Sequence, residues 1–263
     1  MQFDFGKNWK EFSINALTEA KVEQARRAFT ELLDVDLQGK TFIDIGFGQG
    51  LSLLLATERN TLTVGCDINP TCKEVLDANK ARFFPSLTDR NIPCVVGSIL
   101  DRPVVDAIAA KTPTGTYDVV HSWGVLHHTG DMTTAIEHAA SLVGKDGLFV
   151  LALYNRHWTS STWLAIKWLY CKSPEFLQRA FIAIMYPVIW LAKFIVTGRS
   201  PMRQQRGMDF MYNVIDWVGG YPYEYESIAE TTQRMRKLGF ELVKAIPAEV
   251  PTGCNEFLFR RTA

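Results

Sequence analysis

The sequence predicts an α/β fold with a doubly wound, mostly parallel sheet, and three observations support the prediction. Apolar runs of strand length recur between residues 41 and 153, helix-like segments separate most of them, and two strand-like runs follow each other near the end of the sequence. Strands that alternate with helices form parallel sheets, whereas adjacent strands joined by a short loop form a hairpin. We therefore expect five parallel strands and an antiparallel edge hairpin, which together make a seven-stranded sheet.

The elements follow in order from these patterns. The first helix is expected over residues 18–33, where apolar residues fall at helical spacing. The five parallel strands are expected at Thr41–Ile45, Leu62–Cys66, Cys94–Val96, Tyr117–His121 and Leu148–Leu153. The helices between them are expected at Ser52–Glu58, Thr71–Arg82 and Thr133–Val143, and the hairpin at Phe240–Ile246 and Asn255–Arg260.

Residues 154–225 interrupt this alternation and predict a helical insert after the fifth strand. The insert holds five tryptophans, and between Arg156 and Arg206 it has eight basic residues against one acidic residue, Glu175. Its longest uncharged stretch, 180–192, is interrupted by Pro187, whereas a membrane span needs about 20 apolar residues. We therefore expect a buried cap helix rather than a transmembrane one, and a helix on a membrane surface stays open as the alternative.

The predicted organisation has four segments. Residues 1–36 form an N-terminal helical segment that acts as a lid, and residues 37–153 form the ligand-binding core. Residues 154–225 form the basic, aromatic insert that caps the acceptor site, and residues 226–263 add the final helix and the edge hairpin. The insert also offers a surface for a homodimer or for peripheral membrane contact.

Composition narrows the class of protein. Lys and Arg together number 28, as do Asp and Glu, and this balance argues against a dedicated nucleic-acid binder. The five cysteines lack a Cys-x-x-Cys pair, which predicts reduced thiols and a cytoplasmic location. The five histidines lack His-x-x-x-His spacing, so no metal is expected, and the N-terminus does not read as a signal peptide.

The stretch "FIDIGFGQG" predicts a ligand-binding loop after the first strand. Its glycines, Gly46, Gly48 and Gly50, form G-x-G-x-G, whereas a dinucleotide loop is usually G-x-G-x-x-G/A and would place the bulky Leu51 at its last position. Asp44 before the loop would repel a pyrophosphate but suits a cationic amine. Asp67 closes the second strand, where an acidic side chain accepts ribose hydroxyls. A ligand with a ribose, a cationic amine and no phosphate is S-adenosylmethionine.

Five stretches in this order resemble the motifs of class I S-adenosylmethionine-dependent methyltransferases. They are "FIDIGFGQG", "VGCDIN", "VVGSILD", "YDVVHSWGVLHHTGD" and "SLVGKDGLFVLALYN". The chain is most similar to the small-molecule branch that includes the ubiquinone-biosynthesis methyltransferases. The stretches "FDFGKNW", "RGMDFMYNVIDWVGGYPYE" and "GCNEFLFRR" also resemble a subgroup of that branch. The resemblance implies a Rossmann-like fold and methyl transfer from S-adenosylmethionine, with S-adenosylhomocysteine as product.

The resemblance also implies which residues bind the donor. The three glycines let the backbone approach the methionine portion, Asp44 lies near its amino group, and Asp67 binds the ribose hydroxyls. The residues implied to line the rest of the donor site are Ile68, Ser98 and Ile99 around the adenine, and Ser122 and Trp123 after the fourth strand. The chain departs from the family at Ser98, where many members carry Asp or Asn.

Residues after the fourth and fifth strands are candidates for the chemistry. His127 and His128 lie at the switch-point face, where a histidine suits a general base, although one of them can equally order the loop. Asn155 is a candidate to orient an acceptor or to cap the first helix of the insert. The candidate substrate-binding residues are Tyr154, Arg206, Asp209, Tyr212, Asp216 and Tyr221.

The N-terminal stretch "FGKNW" precedes the first predicted helix. By resemblance, Phe5 and Trp9 fold over the donor and exclude water, and their alternative role is as core anchors. Methyl transfer mainly needs proximity and alignment, and a base is required when the acceptor is a hydroxyl. We therefore expect methyl transfer to a small-molecule, lipid or glycan-type acceptor, most often at oxygen. The alternatives are an RNA or protein methyltransferase and a non-catalytic donor-binding scaffold.

Overall fold

A computed structural model of the 263-residue chain describes residues 3–202 and 207–262. Seven strands form one sheet in the order β3-β2-β1-β4-β5-β7-β6. The strands are β1 Thr41–Ile45, β2 Leu62–Asp67, β3 Cys94–Val96, β4 Tyr117–Trp123, β5 Val143–Tyr154, β6 Phe240–Ile246 and β7 Cys254–Arg261. Strands β1 to β5 are parallel, and β7 pairs antiparallel with β5 and β6. The predicted doubly wound α/β fold with an antiparallel edge hairpin is confirmed.

Helices cover both faces of the sheet and form the insert. The described helices are α1 Phe5–Asn15, α2 Glu19–Leu32, α3 Leu51–Glu58, α4 Thr71–Phe83, α5 Arg102–Ala109, α6 Met132–Ser141, α7 Ser160–Lys172, α8 Glu175–Thr197, α9 Phe210–Gly219 and α10 Ile228–Lys237. Several begin at a side-chain cap, such as Thr18 of α2, whose hydroxyl accepts the Lys21 amide. Helix α10 has a complete capping box between Ser227 and Glu230.

Two hydrophobic clusters lie on opposite faces of the sheet. Phe42 and Val119 face one cluster, together with α2, α3 and the apolar side of α1, while Ile43 and Val120 face the other, together with α5 and α6. Parallel strands are buried on both faces, which is why β1 is almost continuously apolar. This arrangement leaves the carboxyl edge of the parallel strands as the place for a site.

Three elements differ from the sequence prediction. The stretch "FGKNW" lies inside a helix, α1, which begins at its Phe5, because Asp4 caps the first turn by accepting the Lys7 amide. The helix expected to run to Val143 ends at Ser141, and Val143 already pairs with Tyr117 as the first residue of β5. Pro187 does not interrupt α8, which continues through it.

The prediction of a buried cap helix is wrong about the burial of the helix. Helix α8 has 23 residues, and Ile189 is the one that is buried. Its inner side contacts a small cluster around Tyr170, Phe210 and Val214, while its outer side is exposed. By length and composition α8 is long and apolar enough to cross a membrane. The four-segment division itself stays a prediction.

Candidate active site

A cavity of about 300 Å³ lies at the carboxyl edge of the parallel strands. Strand ends contribute Asp44, Asp67 and Trp123 to its wall, and the loops that follow contribute the glycine loop and the His127–His128 turn. Helices α1 and α2 and the insert's α9 close the remaining sides. The cavity therefore joins residues from all four predicted segments, and the last segment contributes Cys254.

The glycine loop turns sharply because its residues have left-handed backbone angles. Gly46 has a φ of 75°, and a Cβ there would lie 2.4 Å from Val125. Gly48 has a φ of 51° and lies under the Trp9 indole. These positions favour glycine because a side chain would be strained or would clash. Gly50 is the N-cap residue of α3 and does not line the cavity. Its missing Cβ makes room for Leu76.

Asp67 lies where the sequence places a ribose-binding carboxylate. Its Oδ2 accepts the Gly48 amide and its Oδ1 accepts the Asn69 amide, both at 2.9 Å. Burial raises the pKa of Asp67, and these two amide hydrogen bonds oppose that effect. The carboxylate is thus fixed at the end of β2, and Ile68 beside it is half exposed toward the cavity.

Asp44 has a partner that sequence reasoning missed. His121, in the middle of β4, donates from Nδ1 to Asp44 Oδ1 at 2.7 Å, and both side chains are buried. The His121 ring stacks on Phe42 at 5.7 Å. The register of β1 and β4 sets Asp44 directly opposite His121. A histidine inside a strand carries no motif that would have predicted this contact.

The residues predicted around the adenine line the cavity, but one of the two predicted after the fourth strand does not. Ser98, Ile99 and Trp123 line it, and the Ser98 hydroxyl accepts the Leu100 amide at 3.2 Å. Ser122 does not line it, because its fully buried hydroxyl donates to the Ile45 carbonyl at 3.0 Å. Ser122 therefore joins β4 to β1 and does not touch the cavity.

Helix α1 covers the glycine loop, as the lid interpretation expects. Phe5 and Trp9 line the cavity, and the Phe5 ring lies 4.7 Å from the ring of His128. Between them, Asn8 points toward the insert and donates to Asp216 Oδ1 at 2.6 Å. Both Phe5 and Trp9 thus contribute to the site as well as packing.

His127 and His128 line the cavity beside Phe5. His128 donates from Nδ1 to the Pro222 carbonyl at 2.6 Å, which leaves its lone pair on Nε2. Burial lowers the pKa of His128 to about 3 and the pKa of His127 well below its usual value. The two rings lie 4.3 Å apart and contact Tyr154, which also lines the cavity. Both imidazoles are therefore neutral at physiological pH.

Two ionisable groups of the insert, the partly buried Asp216 and the buried Lys167, lie beside these histidines. Asp216 lines the cavity, and burial raises its pKa to about 7. Lys167 is also buried, and its Nζ donates to the Trp217 carbonyl at 2.7 Å between the rings of Tyr154 and Tyr223. Burial lowers the pKa of Lys167 to about 7. The signal for Lys167 was a lone cation within the apolar helix stretch "WLAIKWLY".

Four other predicted residues lie away from the cavity. Asn155 donates to the Pro251 carbonyl at 2.9 Å and accepts from Asn255, so it joins β5 to the loop of the edge hairpin. Asp209 caps α9 and forms an ion pair with Lys21 at 2.9 Å.

Tyr212 and Tyr221 are structural for similar reasons. Tyr212 packs edge-on against Phe12 at 5.4 Å, within the core. Tyr221 precedes the cis peptide bond to Pro222, and its carbonyl accepts the Phe3 amide at 2.9 Å. Arg206 lies outside the described residues. Within residues 3–202 and 207–262, no group of three or more His, Cys, Asp or Glu side chains could hold a metal ion.

The strand order, the glycine loop after β1 and the acid at the end of β2 define a Rossmann-like methyltransferase fold. A methyltransferase-domain family model matches residues 18–191, which is more than half of the chain, so the chain belongs to this family. The enzyme class expected from the sequence, an S-adenosylmethionine-dependent methyltransferase, is confirmed. No curated protein matches the chain in sequence.

Solved structures of similar fold are distant in sequence. Magnesium protoporphyrin IX methyltransferase of Synechocystis PCC 6803, solved with S-adenosylhomocysteine, has 13% identity and a TM-score of 0.51 over 92% of this chain and 83% of that chain. A Burkholderia thailandensis 1,6-didemethyltoxoflavin-N1-methyltransferase gives 13% and 0.51 over 93% and 80%. PKMT2 of Rickettsia typhi gives 14% and 0.56 over 90% of this chain and 52% of that chain. At these identities the likeness shows the shared fold.

Proposed function

We propose that this enzyme transfers the methyl group of S-adenosylmethionine to an oxygen of a small-molecule acceptor of the lipid or glycan-precursor type. The observation that carries the proposal is one cavity lined by carboxylates from two parts of the chain, Asp44 and Asp67 at the strand ends and Asp216 in the insert. Asp67 lies at the end formed by the glycine loop, and Asp216 lies at the end formed by the insert. The similar structures from Synechocystis and Burkholderia thailandensis, whose names specify small molecules, support this acceptor size, and the ubiquinone-type resemblance remains part of the proposal.

The donor end fits S-adenosylmethionine. Asp67 is fixed to accept two ribose hydroxyls, the half-exposed Ile68 offers an apolar face to the adenine, and the glycine loop lacks the side chains that would block close approach. Asp44 supplies a negative charge for the amino group. When bound, the donor supplies a methyl group on a sulfonium that is already activated for displacement. The chain therefore has to align the acceptor and manage its proton.

Asp216 is the proton acceptor that we propose for an oxygen acceptor. A general base works best when its pKa lies near the operating pH, and the pKa of Asp216 is about 7. A histidine that acts as a base becomes a charged imidazolium, and the burial of His127 and His128 disfavours that form. The acceptor hydroxyl gives its proton to the Asp216 carboxylate as its oxygen takes the methyl group. His128 and Tyr154 shape the pocket around that oxygen. The role of either histidine as the base stays a prediction.

Transfer of a labelled methyl group tests the proposal. The chain is incubated with ¹³C-methyl-labelled donor and, separately, with the low- and high-molecular-weight fractions of a cell extract, and the ¹³C chemical shift of a small-molecule product identifies an oxygen-bound methyl. Label that is removed by nuclease or protease treatment would instead identify an RNA or protein methyltransferase. Donor binding without any labelled product would favour the scaffold alternative.

Two further expectations from the sequence carry over as proposals. The cytoplasm is the proposed location, because the five cysteines form no disulfide within the described residues. A homodimer through the insert is one proposed use of the exposed surface of α8.

A further inference from the structure

Helices α7 and α8 present an exposed apolar surface, called here the apolar face. Its residues include Trp168, Leu177, Ile184, Val188, Leu191 and Ile195. The last four recur at spacings of four, three and four along α8, which places them on one side of the helix. Ile184 is 66% exposed and Ile195 is 71% exposed.

This exposure needs an occupant. Single exposed apolar residues are ordinary, but contiguous apolar patches of several hundred Å² mark interaction sites. The opposite side of α8 packs on α9, where Tyr186 and Phe210 lie 5.0 Å apart and Ile189 is buried. Packing therefore fixes which side of α8 points outward.

The charges around the apolar face have one dominant sign. Between Ala180 and Thr197, Lys193 is the one charged residue, and it is turned inward over the Trp217 ring. Lys172, Arg179 and Arg199 are exposed at the ends of the two helices. Within α7 and α8, Glu175 is the one acidic residue and pairs with Arg179, while Glu249 pairs with the inward-turned Lys193. The face is thus apolar at its centre and basic at its rim.

We infer that the apolar face lies on the surface of an anionic phospholipid bilayer. A helix with an apolar side and basic flanks binds in the plane of the interface by burying the apolar side among the acyl chains. Basic residues next to an anionic surface add an attraction that salt screens. Trp168, with the Lys172 ammonium 5.2 Å from its ring, is of the residue type that lies at the headgroup level.

Helix α8 lies on the bilayer and does not cross it. Its length, about 34 Å at 1.5 Å per residue, suffices to span. However, its inner side contacts α9, and α9 also lines the cavity through Asn213 and Asp216. A spanning orientation would take these polar-facing elements into the hydrocarbon. The in-plane orientation keeps the cavity one helix away from the membrane.

A second copy fits the same face less well. An isologous dimer sets the same patch of two subunits against each other. The basic rims of both copies would meet, and each copy has one acidic residue within α7 and α8, Glu175. A bilayer with anionic lipids complements this charge instead.

Vesicle flotation with the full chain tests the inference. We expect binding to vesicles of phosphatidylcholine with phosphatidylglycerol, weaker binding to phosphatidylcholine alone, and release as salt rises from about 0.1 M to about 1 M. Ile184→Asp is expected to raise the lipid concentration for half-binding about tenfold or more. The matched control is Ile14→Asp, because Ile14 is a helical isoleucine with 65% exposure on α1, and this variant should bind as the unchanged chain does.

Each outcome of these measurements either supports or overturns the inference. Absence of binding to anionic vesicles, equal loss in both variants, or salt-independent binding to neutral vesicles would overturn the inference. A dimer in solution that Ile184→Asp dissociates would assign the face to a second copy. Affinity for S-adenosylhomocysteine should be the same in all three proteins and reports folding. Vesicle binding needs neither donor nor acceptor, so its failure leaves the proposed methyl transfer untouched.

Discussion

The two ends of the cavity hold their carboxylates in different ways. Asp67, at the donor end, accepts two backbone amides, which favour its charged form against burial. Asp216, at the insert end, accepts the Asn8 side-chain amide, and its burial raises its pKa to about 7. Backbone amides are fixed donors, whereas a single side-chain donor leaves the proton affinity near neutrality. The donor end is built to bind and the insert end is suited to exchange a proton.

The helices of the two parts differ in the same sense. Helix α3 is apolar and six of its eight residues are buried between the sheet and its neighbours. Helix α8 is also apolar, but only one of its 23 residues is buried. A helix that is apolar on all sides is normally covered on all sides. The difference shows that the fold covers α3 and leaves the outer side of α8 exposed.

The largest expected effect concerns the proton-exchanging end. Asp216→Asn should lower kcat by roughly 10²–10⁴-fold, which is the usual contribution of a general base. In the unchanged enzyme the rate should rise with pH through about 7, because the carboxylate must be ionised to accept a proton. The variant should lose this dependence in a pH–rate profile.

The matched control is Asp209→Asn, which changes an acid of the same insert that pairs with Lys21 outside the cavity. Equal losses in the two variants would show that Asp216 takes no part in the chemistry.

The pKa of Asp216 also predicts a stability effect. Between about pH 4 and about pH 7 the folded chain keeps this proton and the unfolded chain does not. The free energy of unfolding should therefore fall as the pH rises through this window. Asp216→Asn should flatten that fall in chemical denaturation at several pH values.

The next effect tests the covered helix. Leu54→Ala in α3 removes a fully buried side chain, so the free energy of unfolding should fall by about 2–5 kcal/mol. Urea denaturation with the donor absent measures it. A cost below about 1 kcal/mol would show that α3 is less tightly packed than the structure has it.

A smaller effect is expected at the binding carboxylate. Asp67→Asn removes the charge that would accept the ribose hydroxyls, so the Kd for S-adenosylhomocysteine should rise roughly 10- to 100-fold, as for loss of hydrogen bonds to a charged group. Isothermal titration calorimetry measures this Kd. Asp118→Asn is the matched control, because Asp118 also accepts two hydrogen bonds, from Thr41, but at the opposite edge of the sheet. That variant should change stability and leave the Kd unchanged.

The smallest effect is expected on the uncovered helix. Ile184→Ala should change the free energy of unfolding by no more than about 0.5 kcal/mol, because its side chain makes few contacts in the isolated chain. The same denaturation measurement as for Leu54→Ala applies. A loss of several kcal/mol that depends on protein concentration would show that a second copy covers α8.

The core could be predicted from sequence because its signals are local. Strand β1 and strand β3 lie where the apolar runs place them, and the glycine spacing and Asp67 follow from residues close in the chain. The acceptor end could not be predicted in this way. The contact of Asn8 with Asp216 joins residues 208 positions apart, and the lone cation Lys167 in an apolar helix stretch does not by itself show which groups surround it.

Polar residues were also assigned to the site on position alone. Ser122 and Asn155 lie at strand ends that face the site, which made them candidates. However, a polar side chain at a strand end can equally bond to a neighbouring strand, as Ser122 does to Ile45 and Asn155 does to Asn255. Sequence position identifies the edge of the sheet but does not show in which direction a side chain points.

The hydrogen bond from Asn8 to Asp216 joins α1 to the insert. Asn8 belongs to the helix that carries Phe5 and Trp9 over the donor end, and its amide lowers the pKa of the Asp216 carboxyl. If α1 moved away, this donor would leave with it and the carboxyl would retain its proton more strongly. The hydrogen bond therefore couples the position of the helix over the donor end to the proton affinity of the carboxyl at the insert end.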